Sequence, residues 1–244
     1  LNTMKHINLL FAVYGLMLVT VNSQNLVNNC SFEQYSACPT NETQIDLALG
    51  WTKTKGDADY YNACSSNPYY SVPSSGNGSY QLAATGDAFA GLIVFVSGFG
   101  PLELISTQLT KPLAVGTKYY ISLKVNLVLS EPGQVNLACD KIGVKLSTDP
   151  TPQINNYAHL FSNTIIADTM NWVQISGSFI ADSAYNYLHV GVFFDAANVN
   201  ILKLAPTAPP PSNDRAYYFV DDICVSTDSN AICLIQVGFS DNEN

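Results

Sequence analysis

The sequence predicts an all-β fold, an antiparallel β-sandwich of the jelly-roll type. Several short segments alternate apolar and polar residues with a period of two, which is typical of strands with one buried face. Glycine, asparagine, aspartate and proline separate these segments at short intervals, as they do between the strands of sandwiches. No segment shows the sustained 3.6-residue apolar period, with caps, of an amphipathic helix.

The clearest strand covers 119–129, YYISLKVNLVL, where the odd-numbered positions are apolar and Ser122, Lys124 and Asn126 lie between them. The segment 141–147 alternates in the same way. Further strands are predicted at 171–181 and 185–195, where β-branched and aromatic residues alternate with polar ones. The segment 81–96 is predicted to form two short strands around a Thr-Gly-Asp turn.

Two regions are predicted to be long loops. Residues 52–80 are rich in Gly, Asp, Asn, Ser and Tyr and poor in aliphatic side chains. Residues 203–214 contain four prolines, which exclude a central strand because proline donates no ladder hydrogen bond. Long loops on a sheet scaffold often carry binding functions, so ligand contacts are expected there.

The N-terminal segment has the pattern of a secretory signal peptide. Lys5 precedes a 13-residue apolar run at 7–19, which is short for a membrane span, and Val21-Asn22-Ser23 offers small residues for cleavage. A retained anchor is the alternative. The sequence therefore predicts removal of residues 1–23, a single sandwich domain over 24–244, and a secreted or cell-surface location without a membrane span after cleavage.

Charge and composition narrow the range of partners. The formal net charge is −9, so the surface repels phosphate backbones and nucleic acid is not an expected partner. With 47% hydrophobic and only 12% charged residues, the chain has the composition of a folded protein rather than a disordered one.

Six cysteines, an even number after a signal peptide, predict disulfide bonds: Cys30, Cys38, Cys64, Cys139, Cys224 and Cys233. Spacing alone leaves all fifteen pairings open. No two cysteines form a C-x-x-C motif and the chain has three histidines, so a zinc site is not expected.

The stretch 217–226, YYFVDDICVS, places a carboxylate in a buried strand. By the two-residue period, Asp221 shares a face with Phe219, Ile223 and Val225. Burying such a charge is costly unless a cation, a basic side chain or backbone N–H groups neutralise it. Bases are scarce, so one hypothesis pairs Asp221 with Glu33 around a shared cation, which for oxygen ligands would be Ca²⁺. Capping by backbone amides is the alternative.

Four motifs in order resemble jelly-roll carbohydrate-binding modules of the galactose-binding-like type. They resemble more closely a group of secreted and cell-surface bacterial domains with N-x-S-F-E, D-Y-F-N-x-C, G-x-A-Y-x-G and Y-x-x-D-D-V motifs. The resemblance spans about 25–233. The matching residues are Asn29, Ser31, Phe32 and Glu33, then 59–64, 86–91 and 218–223.

The resemblance implies a structural Ca²⁺ held by Glu33 and Asp221, with Asp59 as a further candidate ligand. It departs from the family pattern at Cys30, a position that is commonly proline, and at Ala58, which precedes Asp59. Cys30 is therefore expected to have gained a partner, for which Cys139 is the suggestion. Cys38–Cys64 would fix the long loop, and Cys224–Cys233 would fix the last strand to its tail.

A sugar site needs exposed aromatic faces together with polar groups that bind hydroxyls. Tyr69 and Tyr70 are the preferred candidates, because their Ser-, Asn- and Pro-rich surroundings offer no core to bury them. Tyr61 and Trp51 are further candidates, although Trp51 fits a core position better. Glu103 is a candidate ligand-facing acid, with a solvated edge residue as the alternative.

No catalytic constellation is recognisable, so the sequence predicts a non-catalytic protein. No G-x-S-x-G motif occurs, and His189 is predicted to point outward from its strand. The expected function is binding of a glycan or cell-surface polysaccharide. A surface adhesin or structural protein with a protein partner is the alternative, which oligomers would favour. A glycan-active hydrolase is the second alternative, which two carboxylates converging in a cleft would favour.

Overall fold

The computed structural model describes residues 24–73, 80–130, 133–206 and 213–233. The segment assigned to the signal peptide lies outside the described residues. Within those ranges, no helix has the length and apolar character needed to cross a membrane.

The first sheet has five strands. Their spatial order is β1 (Trp51–Lys55), β5 (Leu104–Gln108), β11 (Tyr187–Val192), β8 (Ile142–Ser147) and β9 (Leu160–Phe161).

The second sheet runs in the order β10 (Val173–Ile180), β6 (Lys118–Val128), β13 (Arg215–Ser226), β3 (Ala88–Val96) and β2 (Asp59–Asn62), and β4 (Gly100–Pro101) also pairs with β3. A short ribbon joins β7 (Leu137–Cys139) to β12 (Ile201–Lys203).

Every strand pair in these sheets is antiparallel, and the chain crosses repeatedly from one sheet to the other. The prediction of an antiparallel jelly-roll β-sandwich is therefore confirmed. The inner faces of the sheets form the main core, to which β6 contributes Ile121, Leu123, Val125 and Leu127, as its alternation predicts. Trp51 is part of this core, where its indole N–H donates to the carbonyl of Asn29 over 2.9 Å.

The outer face of the second sheet carries a second apolar cluster, which explains why β13 is buried on both faces. Tyr61, Phe89, Tyr217 and Phe219 stack there, and Trp172 packs against them. We call this group the outer aromatic cluster. Because of this cluster, alternation in β13 does not separate a buried side from a solvated side.

The phase of β13 changes at Asp222, which corrects one prediction. Asp222 has a φ of +51°, and the register with β6 shifts between Asp221 and Cys224. Before this bulge, Phe219 belongs to the outer aromatic cluster; after it, Ile223 and Val225 belong to the main core. Asp221 therefore does not share a face with Ile223 and Val225.

The predicted loop over 52–80 is shorter than expected. It contains β1 and β2, and its described irregular parts are 56–58 between these strands, 63–73 after β2, and Tyr80. Lysines and tyrosines replace aliphatic residues in these strands, which is why composition suggested a loop. The proline-rich segment after β12 falls largely outside the described residues.

The structure contains two disulfides. The predicted Cys38–Cys64 bond is present, whereas Cys30 pairs with Cys233 and leaves Cys139 and Cys224 as buried free thiols. The predicted Cys30–Cys139 and Cys224–Cys233 pairs are therefore wrong. The carbonyl of Cys30 accepts a hydrogen bond from Ile223, so Cys30 lies beside β13, close to where the chain returns after that strand. Cys139 lies in β7 within the main core.

Candidate functional site

Two acidic regions lie near opposite ends of the β2–β3 pair. At the Ala88 end, the segment 84–88 contacts three carboxylates. Asp221 Oδ2 accepts N–H groups from Ala84 at 2.9 Å and Thr85 at 3.3 Å. Its Oδ1 accepts the N–H of Asp222 at 2.7 Å. Backbone donors thus contact both oxygens of Asp221.

Glu33 contacts the same segment from the other side. Its Oε1 accepts N–H groups from Asp87 and Ala88, both at 3.0 Å. Gly86 has a φ of +67°, which favours glycine, and a Cβ there would displace the Glu33 carboxylate from its present position. Burial raises the pKa of Glu33 to about 7, against the lowering effect of these two N–H groups, and the charges of Asp87 and Asp222 add to the rise.

Asp222 completes this region with a cationic partner. Its carboxylate accepts the Thr85 hydroxyl at 2.5 Å and pairs with the Lys124 ammonium at 2.7 Å. Burial, followed by the charge of Asp222, raises the pKa of Asp221 well above its usual range. The segment 84–88 is therefore held by Glu33, Asp221 and Asp222 together.

These contacts do not fit a Ca²⁺ shared between Glu33 and Asp221. Calcium requires six to eight oxygen ligands, whereas the oxygens of Asp221 and Oε1 of Glu33 face N–H donors. Among the described residues, no three His, Cys, Asp or Glu side chains are placed to hold a metal ion. Calcium binding stays a prediction from the resemblance. In the structure, the N–H groups of Ala84, Thr85 and Asp222 are the hydrogen-bond donors to the Asp221 carboxylate.

Asp59 lies too far along β2 to join Glu33 and Asp221. Asn62 pairs with Ala88, next to Glu33, but Asp59 pairs with Gly91, which is three residues further on. At about 3.3 Å per residue, the two positions are separated by roughly 10 Å. Asp59 belongs instead to a second acidic region at the other end of β2.

We call this second region the acidic cleft. It is an open depression of about 400 Å³ beside the ends of β2, β3 and β13. Its lining combines carboxylates, one guanidinium group and apolar side chains: Glu42, Thr43, Asp57, Asp59, Ile93, Val96, Phe99, Leu102, Glu103, Asn213 and Arg215.

Glu103 is the most buried acid of the cleft, with 3% of the residue exposed. Its Oε2 accepts the N–H of Ile93 at 2.7 Å, and its Oε1 accepts that of Asp57 at 3.4 Å. Burial raises the pKa of Glu103 to about 7, against the lowering effect of the Ile93 N–H group, and the charge of Asp59 raises it further. The alternative of a solvated edge residue is therefore wrong for Glu103.

Asp59 connects the cleft to the outer aromatic cluster. Its Oδ2 accepts the phenol of Tyr217 at 2.6 Å, and its Oδ1 accepts the N–H of Thr43 at 2.8 Å. The Tyr217 oxygen also lies 2.9 Å from that of Tyr61. Burial raises the pKa of Asp59, while the Tyr217 hydrogen bond lowers it.

Aromatic and cationic groups border these acids. Phe99 is 74% exposed and follows β3 in a turn. Tyr70 lies near Asp59 and Glu42, whose charges raise its pKa after the effect of burial. Arg215 supplies the guanidinium, and its buried Nε has no hydrogen-bond partner within the described ranges. The lining of the cleft thus offers carboxylate acceptors, a guanidinium group and the exposed ring of Phe99.

Of the five residues proposed for sugar binding, one lines the cleft and two lie close to it. Glu103 lines it, Tyr70 lies beside it and Tyr61 lies beneath it, joined to Asp59 through Tyr217. Tyr61 and Trp51 are each only 1% exposed, so neither offers a ring face to a ligand, which corrects their assignment. Tyr69 is 63% exposed, but it does not line the cleft.

Sequence reasoning missed Phe99, Arg215 and Asp57 as cleft residues. Phe99 lies in Gly98-Phe99-Gly100, and a large apolar side chain in a glycine turn is a signal of exposure. Arg215 is the only arginine of the chain, yet its position beside Glu103 depends on the pairing of β13 with β3. That pairing joins residues far apart in sequence.

His189 also lies differently from the prediction. It is fully buried, and its two ring nitrogens contact the hydroxyls of Ser106 and Ser147 on the neighbouring strands β5 and β8. Burial lowers the pKa of His189 to about 4. His189 alternates with the core residues Leu188 and Val190, as predicted, but the expected exposure was wrong because β11 is the central strand of the first sheet and is buried on both faces.

Comparison with known proteins was made at three levels. No family model matches this chain, and no curated protein matches it. Among solved structures, a Stig cyclase from Fischerella sp. TAU has 13% identity and a TM-score of 0.44 over 84% of this chain and 96% of its own. The CBM22-2 xylan-binding domain of Paenibacillus barcinonensis Xyn10C has 9% identity and a TM-score of 0.38 over 73% and 91%.

A third similar structure holds the CBM22-1 and GH10 modules of endo-1,4-β-D-xylanase 10B from Clostridium thermocellum, with 14% identity and a TM-score of 0.40. The match covers 76% of this chain and only 27% of the xylanase chain. These likenesses are too distant to carry an argument about function. The fold assignment rests on the observed strand order, and the functional proposal rests on the acidic cleft.

Proposed function

We propose that this protein is a non-catalytic carbohydrate-binding domain that binds a neutral glycan in the acidic cleft. One observation carries the proposal. Asp59 of β2 and Glu103, which directly precedes β5, line the same open cleft as the exposed ring of Phe99. This combination of fixed acceptors and an apolar face is the kind that orients a sugar ring.

The chemistry of the cleft favours a neutral ligand. Carboxylates accept hydrogen bonds from sugar hydroxyls, and charge-assisted hydrogen bonds are stronger than neutral ones. The net charge of −9 and the acids Glu42 and Asp57 at the cleft repel anionic polysaccharides. The guanidinium of Arg215, which also lines the cleft, supplies N–H donors for a ring or hydroxyl oxygen. We therefore expect neutral hexose or pentose chains rather than uronate or sulfated ones.

Extracellular function is part of the same proposal. Two disulfides join residues that lie far apart or in irregular segments, Cys30–Cys233 and Cys38–Cys64, and such bonds persist in oxidising compartments. A glycan or polysaccharide at a cell surface is the partner that this location makes accessible.

Glycoside hydrolysis is a second candidate function, which the acidic cleft specifically favours. The pKa values of both Asp59 and Glu103 are raised, and a carboxyl group with a pKa of about 7 can donate a proton at neutral pH. Both oxygens of Glu103 accept backbone N–H groups, from Ile93 and Asp57, which favours a fixed acceptor over an acid that has to deliver its proton to the glycosidic oxygen.

A glycan array followed by calorimetric titration of each positive glycan tests the first proposal. We expect Phe99→Ala to weaken binding about tenfold through the loss of ring stacking. Tyr157→Ala is the matched control, since it also removes an exposed aromatic side chain but lies outside the cleft lining. Equal effects of both substitutions, or binding to no neutral glycan, would reject the proposal.

Chromatography of the bound glycan after long incubation separates the two functions. Intact glycan supports a binding domain. Shortened products that disappear in Glu103→Gln would establish the hydrolase instead, because the amide cannot donate an acidic proton.

A further inference from the structure

The four sheet edges of the sandwich differ in how well they are protected against pairing with another chain. An exposed edge presents unpaired N–H and C=O groups, and proteins block it with lysines, bulges or very short strands. Edge strand β1 carries Lys53 and Lys55 and has a register irregularity between them. Edge strand β9 has two residues, and edge strand β2 has four, the first of which is Asp59.

Edge strand β10 has none of these features. Val173–Ile180 is eight residues long and contains no charged residue and no proline. Its pairing with β6 is continuous over all eight positions, without a bulge. Because β10 is the last strand on its side of the second sheet among the described residues, its outer backbone groups face away from that sheet. β10 is therefore the long, regular and uncharged edge of the described fold.

The sequence of β10 is also close to symmetric about Gly177. The central residues read Ile175-Ser176-Gly177-Ser178-Phe179. A two-fold axis through Gly177 in an antiparallel pair places Ser176 opposite Ser178 on the outer face. The same axis places Ile175 opposite Phe179 on the core face. This register keeps every residue on its own face of the sheet, as pairing of two half-buried strands requires.

We propose that two copies of this chain associate through β10, so that the second sheets of both copies join into one continuous antiparallel sheet. The interface is isologous, since the same strand pairs with itself about a two-fold axis. Cross-strand Ile–Phe contacts extend the main core across the axis, and the serine pairs contribute hydrogen bonds on the outer face. The acidic cleft lies beside β2, at the opposite edge of the same sheet, so both clefts stay open.

The net negative charge of the chain opposes this association, so the dissociation constant of the dimer should depend on salt concentration. Each copy has a net charge of −9, so two copies repel each other over distances comparable to the Debye length. Screening by salt reduces this repulsion without weakening the backbone hydrogen bonds. The dimer is therefore expected to become tighter as salt is added.

Sedimentation velocity of the full chain, from sub-micromolar to sub-millimolar concentration at low and moderate salt, measures the equilibrium. The variant S176K/S178K places like charges opposite each other, and we expect it to raise the dissociation constant by about tenfold or more. Thr52→Lys is the matched control: it adds lysine to β1, an edge that already carries two, and should leave the dimer unchanged.

Hydrogen exchange supplies a second readout. Protection of amides in β10 should rise with protein concentration, while protection in β1 should stay constant. A monomer at all concentrations and both salt levels overturns the proposal. A dimer that S176K/S178K does not weaken, or whose protection changes lie elsewhere, also overturns it, because the copies then associate through another surface.

Discussion

Tyr217 donates a hydrogen bond from its phenol oxygen to Oδ2 of Asp59 over 2.6 Å, and this contact joins the outer aromatic cluster to the acidic cleft. Tyr217 lies on β13 and Asp59 on β2, and β3 separates the two strands. Gly91 of β3 makes the contact possible, because a Cβ at that position would collide with the Tyr217 phenol. Gly91, which pairs directly with Asp59, thus lets a tyrosine two strands away contact a cleft carboxylate.

Tyr217→Phe should destabilise the protein by about 1–3 kcal/mol, since it leaves Asp59 and the buried Tyr61 hydroxyl short of a partner. Urea unfolding measures the effect. Tyr69→Phe is the control because its ring is largely exposed, and it should change stability by less than about 0.5 kcal/mol. Equal midpoints for the two variants would show that the Tyr217–Asp59 bond contributes nothing measurable.

Glu103 should make the native state less stable as the pH rises. Its pKa is about 7 in the folded protein and 4.5 without the fold, so the folded state holds a proton that the unfolded state releases between these values. The stabilising contribution is complete below about pH 4.5 and is lost as pH rises through about 7.

Glu103→Gln should remove this dependence, because the amide oxygen still accepts the N–H of Ile93 but has no proton to lose. Relative to wild type, the variant should gain on the order of 2 kcal/mol between pH 4.5 and pH 8. Unfolding free energies at several pH values test this. Asp149→Asn, at an exposed turn, is the control, and a wild-type slope in Glu103→Gln would contradict the prediction.

The fold was predictable from the sequence because the jelly roll depends on strands with one buried face. In β6, alternation identified the core residues correctly, since the polar side of Ser122 and Lys124 stays partly solvated. In β13 the same reasoning wrongly put Phe219 and Asp221 on the face of Ile223 and Val225, because both faces are buried and Asp222 shifts the phase by one residue.

The candidate site was only partly predictable. Asp59 and Glu103 were singled out separately, for calcium and for sugar binding, but nothing in the sequence indicated that they line one cleft. Their proximity follows from the pairing of β2 and β13 with β3. The same pairing places Arg215 of β13 in the cleft. The cysteine pairing was also not predictable from the sequence, because it depends on contacts between distant segments. Cys30 reaches Cys233 only because residues 26–30 lie along the end of β13.

The two free thiols should be unreactive in the native protein. Burial raises the pKa of Cys139 to about 12 and that of Cys224 to about 11, so almost no thiolate forms at neutral pH. Alkylation of the native chain should modify neither, and alkylation after denaturation without reductant should modify both. Peptide mapping should recover Cys30–Cys233 and Cys38–Cys64. Recovery of Cys224–Cys233 instead would contradict the observed pairing.

Asp221→Asn tests what neutralises the buried carboxylate. The amide retains one acceptor oxygen but places an NH₂ group against an N–H donor of Asp222 or Ala84, so we expect a loss of about 2–4 kcal/mol.

A Ca²⁺ shared between Asp221 and Glu33, as the resemblance implies, and the observed backbone donors make opposite predictions for chelation. With the ion, chelator lowers the melting temperature of the wild type and leaves that of Asp221→Asn unchanged. With backbone donors alone, chelator changes neither, and the contacts favour this outcome. Asp228→Asn, outside this cluster, controls for the loss of a carboxylate. Melting scans of the three proteins with calcium and with chelator distinguish the two arrangements, and a chelator effect confined to wild type and Asp228→Asn would establish the ion.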